Sequence, residues 1–452
     1  MPTLHPYPSY RQTDLPWLGQ IPAHWEVKRL KQVTDVAFSS VDKLSHEDEK
    51  PILLSNYVDV YKNEQITVEL EFMKATASDD EIKKFTLRKD DVIITKDSES
   101  WNDIAVPAYV PNDLENVLSG YHLALIRPNR NEMDGKFLFR ALQSKAINYQ
   151  FEVEATGITR YGIDQYAIGS TFFPIPPLPE QQAIAAYLDR QTAKIDALIA
   201  KKERLLDLLA EQRAALISQA VTKGNARNNV QKDKGPAPWL FPLPSGWRRE
   251  KLKFNSYMKG RIGYENLRSD EYTDEGPYLV SSVHFKGGKI EWDKCNHVTR
   301  ERFEMSPDII LQKHDVLFMK DGALMGKLAY IDELPGKACL NSHLLLMRPL
   351  KGKYLPKFLL YVLMTDVFEA YMIEERKGTT FFGFSQESMG NFPLSLPPIS
   401  EQKEICDYID RKTKQLDDLA AKAGSVIERL REYRAALISS VVTGKVDVSK
   451  GA

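Results

Sequence analysis

The sequence predicts an α+β fold built twice: two globular α/β-mixed domains separated by two long helices, which pair as an antiparallel coiled coil in a pseudo-two-fold symmetric molecule. The first observation behind this is an internal repeat. Displaced by 221 residues, PPLPEQQAIAAYLDRQTAKIDALI (176–199) falls without a gap on PPISEQKEICDYIDRKTKQLDDLA (397–420). Arg213-Ala214-Ala215-Leu216-Ile217-Ser218 likewise falls on Arg434-Ala435-Ala436-Leu437-Ile438-Ser439. The second is an echo upstream of each copy, where Pro16-Trp17-Leu18, Ile21-Pro22 and Trp25 return as Pro238-Trp239-Leu240, Leu243-Pro244 and Trp247. The third is heptad spacing inside the repeated segments.

In chain order, residues 1–25 form an N-terminal strap rich in proline and tryptophan. Residues 26–176 form the first domain, with short β-rich runs such as Asp91-Val92-Ile93-Ile94 and His122-Leu123-Ala124-Leu125-Ile126 between Gly, Pro and Asn turn signals. Residues 177–224 form the first long helix, its apolar seam read at Leu188, Ile195, Leu198, Leu205, Leu209 and Leu216. Residues 225–247 are a polar linker and a second strap. Residues 248–396 repeat the first domain, with Asp315-Val316-Leu317-Phe318 and His343-Leu344-Leu345-Leu346-Met347 at matching places. Residues 397–445 form the second helix, with a seam at Ile409, Leu416, Leu419, Val426, Leu430 and Leu437, and 446–452 a frayed tail. Each helix is expected to run about 43 residues, roughly 65 Å at ~1.5 Å per residue. Neither can hide its stripe alone, so the two should pair, antiparallel if a dyad exchanges the halves. Tyr57 and His284 fall in strand-like stretches, and Gly424, opposite Glu203 in the repeat, sits in mid-helix where glycine costs about 1 kcal/mol.

Composition places the chain among globular, cytoplasmic proteins, with no apolar run long enough to span a membrane and no secretory signal. The three cysteines, Cys295, Cys339 and Cys406, stand far apart without a CxxC pair, so neither zinc nor a disulfide framework is expected. A net charge of -1 provides no global basic field. Residues 26–175 carry 18 basic and 25 acidic residues, and residues 248–396 carry 22 and 20. A phosphate-binding surface must therefore be local or shared with a partner.

No catalytic set stands out. Gly322-Ala323-Leu324-Met325-Gly326-Lys327 has a glycine spacing one short of a phosphate loop, and Leu328 stands where Ser or Thr is required. There is no GxGxxG after a strand, no HExxH and no Asn-Pro-Pro-Tyr run. Cys295 and His297 lack further ligands in sequence. The chain is expected to be a non-enzyme without a metal or cofactor of its own. What the sequence does offer is loops suited to a polyanion. Ala155 to Gly162, with Thr159, Arg160 and Tyr161, matches Lys377 to Gly383, with Lys377, Thr379, Thr380 and Phe381; both combine glycines, hydroxyls, a cation and aromatics. Lys96, Ser98, Ser100 and Asn102, and Lys320 in the second copy, follow equivalent strands and could present side chains to base edges. Ordered turns would use the same residues. A duplicated reader suits duplex DNA, itself two-fold symmetric; a two-headed protein scaffold would explain the repeat equally well.

The order of strap WLGQIPAHWE (17–26), variable domain, PPLPEQ (176–181), long helix, WLFPLPSGW (239–247), second domain and PPISEQ (397–402) resembles the specificity subunit of type I restriction-modification enzymes over essentially the whole chain. The resemblance implies two target recognition domains, each reading half of an asymmetric bipartite DNA site. The helices would act as spacer and as dock for two methyltransferase subunits, joined by two restriction subunits. It places docking on Glu180, Gln181, Tyr187, Glu401, Gln402 and Tyr408. It assigns S-adenosylmethionine to the methyltransferase, which modifies adenine, and ATP and Mg2+ to the restriction subunits.

Overall fold

The computed structural model describes residues 5–224, 237, 239–260, 271–376 and 383–448. Contacts divide the chain into two units, residues 1–203 with 424–452, and residues 204–423. The division falls inside both long helices, Leu178–Lys223 and Ile399–Val442, so each unit holds one globular module with the opening of one helix and the closing part of the other.

In the first unit a four-stranded sheet runs in the order Thr34–Phe38, Leu123–Pro128, Val92–Thr95, Pro107–Tyr109, antiparallel throughout. A three-stranded sheet sets Lys50–Ser55 between the antiparallel Met73–Ala77 and the parallel Val117–Ser119. Val92–Thr95 is buried along its whole length, which is why it reads as a continuous apolar run without alternation. Glu26–Arg29 pairs with Phe172–Ile175, returning the chain to the prolines that open the first long helix. Between these lie the helices Gly135–Leu142, capped by Asp134 accepting from Phe137 N–H, and Gln165–Ser170, capped by Asp164 accepting from Ala167 N–H.

The second unit is built alike. Ser256–Gly260, Leu344–Pro349, Val316–Met319 and Leu328–Tyr330 form an antiparallel sheet in the same order. Tyr272–Val280 lies between Asn296–Val298 and the parallel Ala338–Leu340, and Arg248–Lys251 pairs with Pro393–Leu396. The glycines of 322–327 belong to the loop of the hairpin Val316–Met319 and Leu328–Tyr330, closed by Met319 N–H to Lys327 O at 2.9 Å.

The long helices run antiparallel in each unit. In the first, Glu203 meets Arg431 and Asp196 meets Arg434, so numbers rise on one helix as they fall on the other. In the second, Arg213 meets Asp417, while Leu216 and Ala220 share a groove with Tyr408 and Glu404. The seam differs from the expected one at four places. Leu198, Leu205, Leu419 and Val426 are exposed; Ile199, Leu206, Ala420, Ala423 and Ile427 take the inward positions. After Ile195 and Leu416 the buried stripe steps by four, where the expected seam steps by three, and the following positions shift with it.

The strand readings of Tyr57 and His284 and the frayed tail are corrected. Tyr57 opens the helix Tyr57–Lys62, where Asp59 Oδ2 accepts from Asn56 N–H at 2.7 Å, and His284 closes the short turn Ser282–His284. The tail is tied down as far as Val448, which is buried in the first core, and Asp447 N–H donates to His5 O at 2.8 Å. The helix Ile399–Val442 runs unbroken through Gly424, whose added Cβ would meet nothing within 4 Å. Gly424→Ala is therefore expected to raise stability by about 0.5–1 kcal/mol, measured as a higher denaturation midpoint at unchanged slope.

Candidate nucleic-acid interface

Two loops that lie sixty residues apart in sequence come together in the first module. The two-residue strand Asp97–Ser98 pairs with Tyr161–Gly162, which pairs with Thr156–Gly157, giving a small ribbon beyond the main sheet. Gly157 makes the hairpin possible: its φ is +151°, and a Cβ there would lie 1.9 Å from Arg160 O. The tip is open to solvent, with Ile158 92% exposed and Thr159 and Arg160 exposed beside it.

One carboxylate organises this ribbon. Asp97 receives the Arg160 guanidinium, with Nε at 3.2 Å, and holds His122 Nδ1 at 2.8 Å. Lys96 Nζ lies 3.6 Å from the same carboxylate and over the Phe38 ring. Burial alone would raise the Asp97 pKa, but the hydrogen bonds from His122 and Arg160 outweigh it and hold the carboxyl below its ordinary value. The backbone repeats the tie, since Lys96 N–H donates to His122 O at 3.2 Å and Ile163 N–H to Lys96 O at 2.9 Å.

The second module contains the same clamp. Asp321 holds His343 Nδ1, Lys320 Nζ lies 3.7 Å from Asp321, Lys320 N–H donates to His343 O at 3.0 Å and Phe384 N–H to Lys320 O at 2.7 Å. Asp321 also bridges to Gly383, at the end of the second glycine loop. Lys377, Thr379, Thr380 and Phe381 lie outside the described residues. Asp97, His122, Asp321 and His343 were not singled out from sequence. Their signal was a Lys-Asp pair after equivalent strands and a histidine heading the next one in both copies.

The other loop residues divide. Ser98 is buried, and its Oγ accepts from Ser100 N–H at 3.2 Å, so it braces the loop and does not face outward. Ser100 Oγ donates to Asn102 Oδ1 at 2.6 Å, and Asn102 and Trp101 are exposed. Tyr161 is half-buried in the ribbon.

The helix entries have a structural explanation. Glu180 accepts from Trp25 Nε1 at 3.1 Å and Tyr7 Oη at 2.7 Å, and Glu401 accepts from Trp247 Nε1 at 3.1 Å, so the second tryptophan of each strap is pinned to the glutamate of its own helix. Gln181 and Gln402 are 0% exposed. Gln181 Oε1 accepts from Asp134 N–H, and its Nε2 donates to Glu132 O and Pro176 O. Gln402 accepts from Leu355 N–H and donates to Pro397 O. These two glutamines have no surface to offer a partner, and Tyr187 is also buried. Tyr408 remains accessible, lining a groove of about 750 Å³ with Glu404, Asp407, Arg411, Gln212 and Gln219. Among the described residues no group of three or more His, Cys, Asp or Glu could hold a metal ion, and no helix is long and apolar enough to cross a membrane.

Comparison with known proteins agrees with this architecture. The chain is 22% identical over 441 residues to a putative type I restriction enzyme MjaX specificity subunit of Methanocaldococcus jannaschii, covering 97% of each. It is 21% identical to the type I restriction enzyme EcoKI specificity subunit of Escherichia coli, covering 95% of this chain and 90% of that one. In fold it resembles a chain solved for complex assembly and conformational transition of the type I R-M system, with TM-score 0.72, 18% identity and coverage of 93% and 98%. It also resembles the HsdS subunit from Thermoanaerobacter tengcongensis, with TM-score 0.53, 18% identity and coverage of 94% and 98%. Residues 22–207 and 260–429 match the type I restriction modification DNA specificity domain, and the chain belongs to that family as a specificity subunit that recognises a DNA target.

Proposed function

We propose that this chain reads an asymmetric, bipartite DNA site, one half per module, and seats two methyltransferase and two restriction subunits on its long helices. The chain contributes recognition only. S-adenosylmethionine for adenine methylation, and ATP and Mg2+ for cleavage, belong to the partners. The observation that carries this reading is the Lys-Asp-His clamp present in both modules, paired with the Thr156–Gly162 hairpin in the first and bridged to Gly383 in the second, while the side chains around the two clamps differ. A base contact of good bidentate geometry discriminates by about 1–3 kcal/mol, so a few side chains per module suffice for a half-site. Seating of partners is supported by apolar side chains left outward on the helices. In the first unit these are Leu198, Val426 and Tyr433, and in the second Leu205, Leu208 and Leu419. Partners that carry part of the phosphate-binding surface also suit a chain of net charge -1.

Exchange of residues 26–175 for the corresponding module of a relative is expected to change one half of the methylated motif and leave the other intact, read by methylome sequencing of cells that carry the partner subunits. A change in both halves, or in neither, would refute independent reading.

A further inference from the structure

We infer that His122 and His343 are phosphate-contact residues, each presenting Nε2 to the DNA backbone of its own half-site while its Nδ1 is held by an aspartate. The inference rests on the DNA-reading function proposed above and names residues that do the reading. In each module one ring nitrogen is committed, His122 Nδ1 to Asp97 at 2.8 Å and His343 Nδ1 to Asp321. A carboxylate on Nδ1–H fixes the ring orientation, and a phosphate at the other nitrogen completes an imidazolium in which Nε2–H donates to the anion. Both rings keep part of their surface, 26% of the His122 side chain and 52% of the His343 side chain.

The surroundings favour an anion. A single carboxylate, Asp97, faces three cationic or potentially cationic groups, Lys96, Arg160 and His122, in a module whose overall charge is negative. Asp97 can neutralise one of them, so the cluster is left with local positive charge at the base of an exposed hairpin tip. In the second module Asp321 likewise faces Lys320 and His343. Burial and a purely structural role would require one such pair to be enclosed. Instead both pairs sit at the same strand ends, partly open, the first at the base of an exposed hairpin tip. A backbone phosphate, common to every half-site, also explains why this feature recurs in modules whose other loop residues differ.

The test uses asparagine, whose amide can keep the hydrogen bond made by Nδ1 but has no atom at the Nε2 position. His122→Asn and His343→Asn are expressed with the partner subunits, and binding is followed by gel shift on duplexes with either half-site scrambled, over a range of salt. Each variant is expected to melt like the unsubstituted protein and to bind about tenfold more weakly, with the slope of log K against log salt shallower by about 0.9. The double variant should lose about twice that slope. Unchanged affinity and slope would overturn the inference. So would a relaxed preference at one base pair with the slope retained, which would mark a base contact. If the unsubstituted complex fails to distinguish the intact duplex from either scrambled one, the DNA-reading function itself falls, and that outcome is separate from failure of the histidines.

Discussion

Asp315→Ala is expected to destabilise the second unit by about 3–5 kcal/mol. The carboxylate is fully buried and receives Arg348 Nε at 2.7 Å and Nη2 at 2.8 Å, a bidentate pair, along with Gln312 N–H at 2.6 Å. Arg348 Nη2 also donates to Ile310 O at 3.0 Å, which holds the guanidinium on a second side. Removing the carboxylate leaves a cation without its partner between two strands, and the cost of that stranded charge exceeds the net worth of the pair. The first module repeats the arrangement with Asp91 and Arg127, down to the bond from Arg127 Nη2 to Thr86 O at 3.0 Å. Asp91→Ala should therefore cost a similar amount in the first unit. At ~2–4 °C per kcal/mol for units of this size, either variant should shift one melting transition by about 10 °C and leave the other unit's transition in place. Loss of both transitions together would show that the units do not unfold separately. A charge-free replacement that removes both partners at once, Asp315→Leu with Arg348→Met, should recover much of the loss.

Gln402→Ala ranks with it, at about 3–5 kcal/mol. The side chain is wholly enclosed and joins the start of the second long helix to the start of the helix Pro356–Leu363, through Leu355 N–H at 2.8 Å and Pro397 O at 2.9 Å. Each buried group left unpaired costs about 1–3 kcal/mol, and the cavity left by the truncated side chain adds to it. Gln181→Ala removes three such bonds in the first unit. The distinguishing measurement is thermal melting of the free chain, without partners. A residue that acted only in docking would leave that melt unchanged, whereas these are expected to lower it by about 10 °C.

Much of the architecture was legible because it is repeated. Heptad spacing and the 221-residue repeat are sufficient to identify two long helices, and the runs at 92–95, 123–126, 316–318 and 344–347 identify the central strands of both sheets. What sequence spacing does not convey is which stripe of a long helix is inward, because Leu198 and Ile199, or Leu205 and Leu206, are equally apolar and only the partner helix chooses between them. The candidate site was half legible. Lys96 is visible as a cation at a strand end and Arg160 as one in a glycine-bearing loop, but the approach of Arg160 to Asp97 depends on strand pairing between residues more than sixty positions apart. The glutamines at the helix entries were visible as a motif and opaque in role. A repeated polar residue can be repeated for a partner or for the fold, and only its burial separates the two.

The first unit is assembled from residues 1–203 and 424–452, whereas the second is continuous from 204 to 423. On a ribosome adding about 5–20 residues per second, the N-terminal module waits roughly ten to forty seconds for the last helical turns, including Leu437, Ile438, Val441 and Val442, that complete its core. The usual N-to-C order of maturation is therefore reversed. The C-terminal module can close as soon as it has emerged, while the earlier-made half stays unfinished until residues 437–442 have been added.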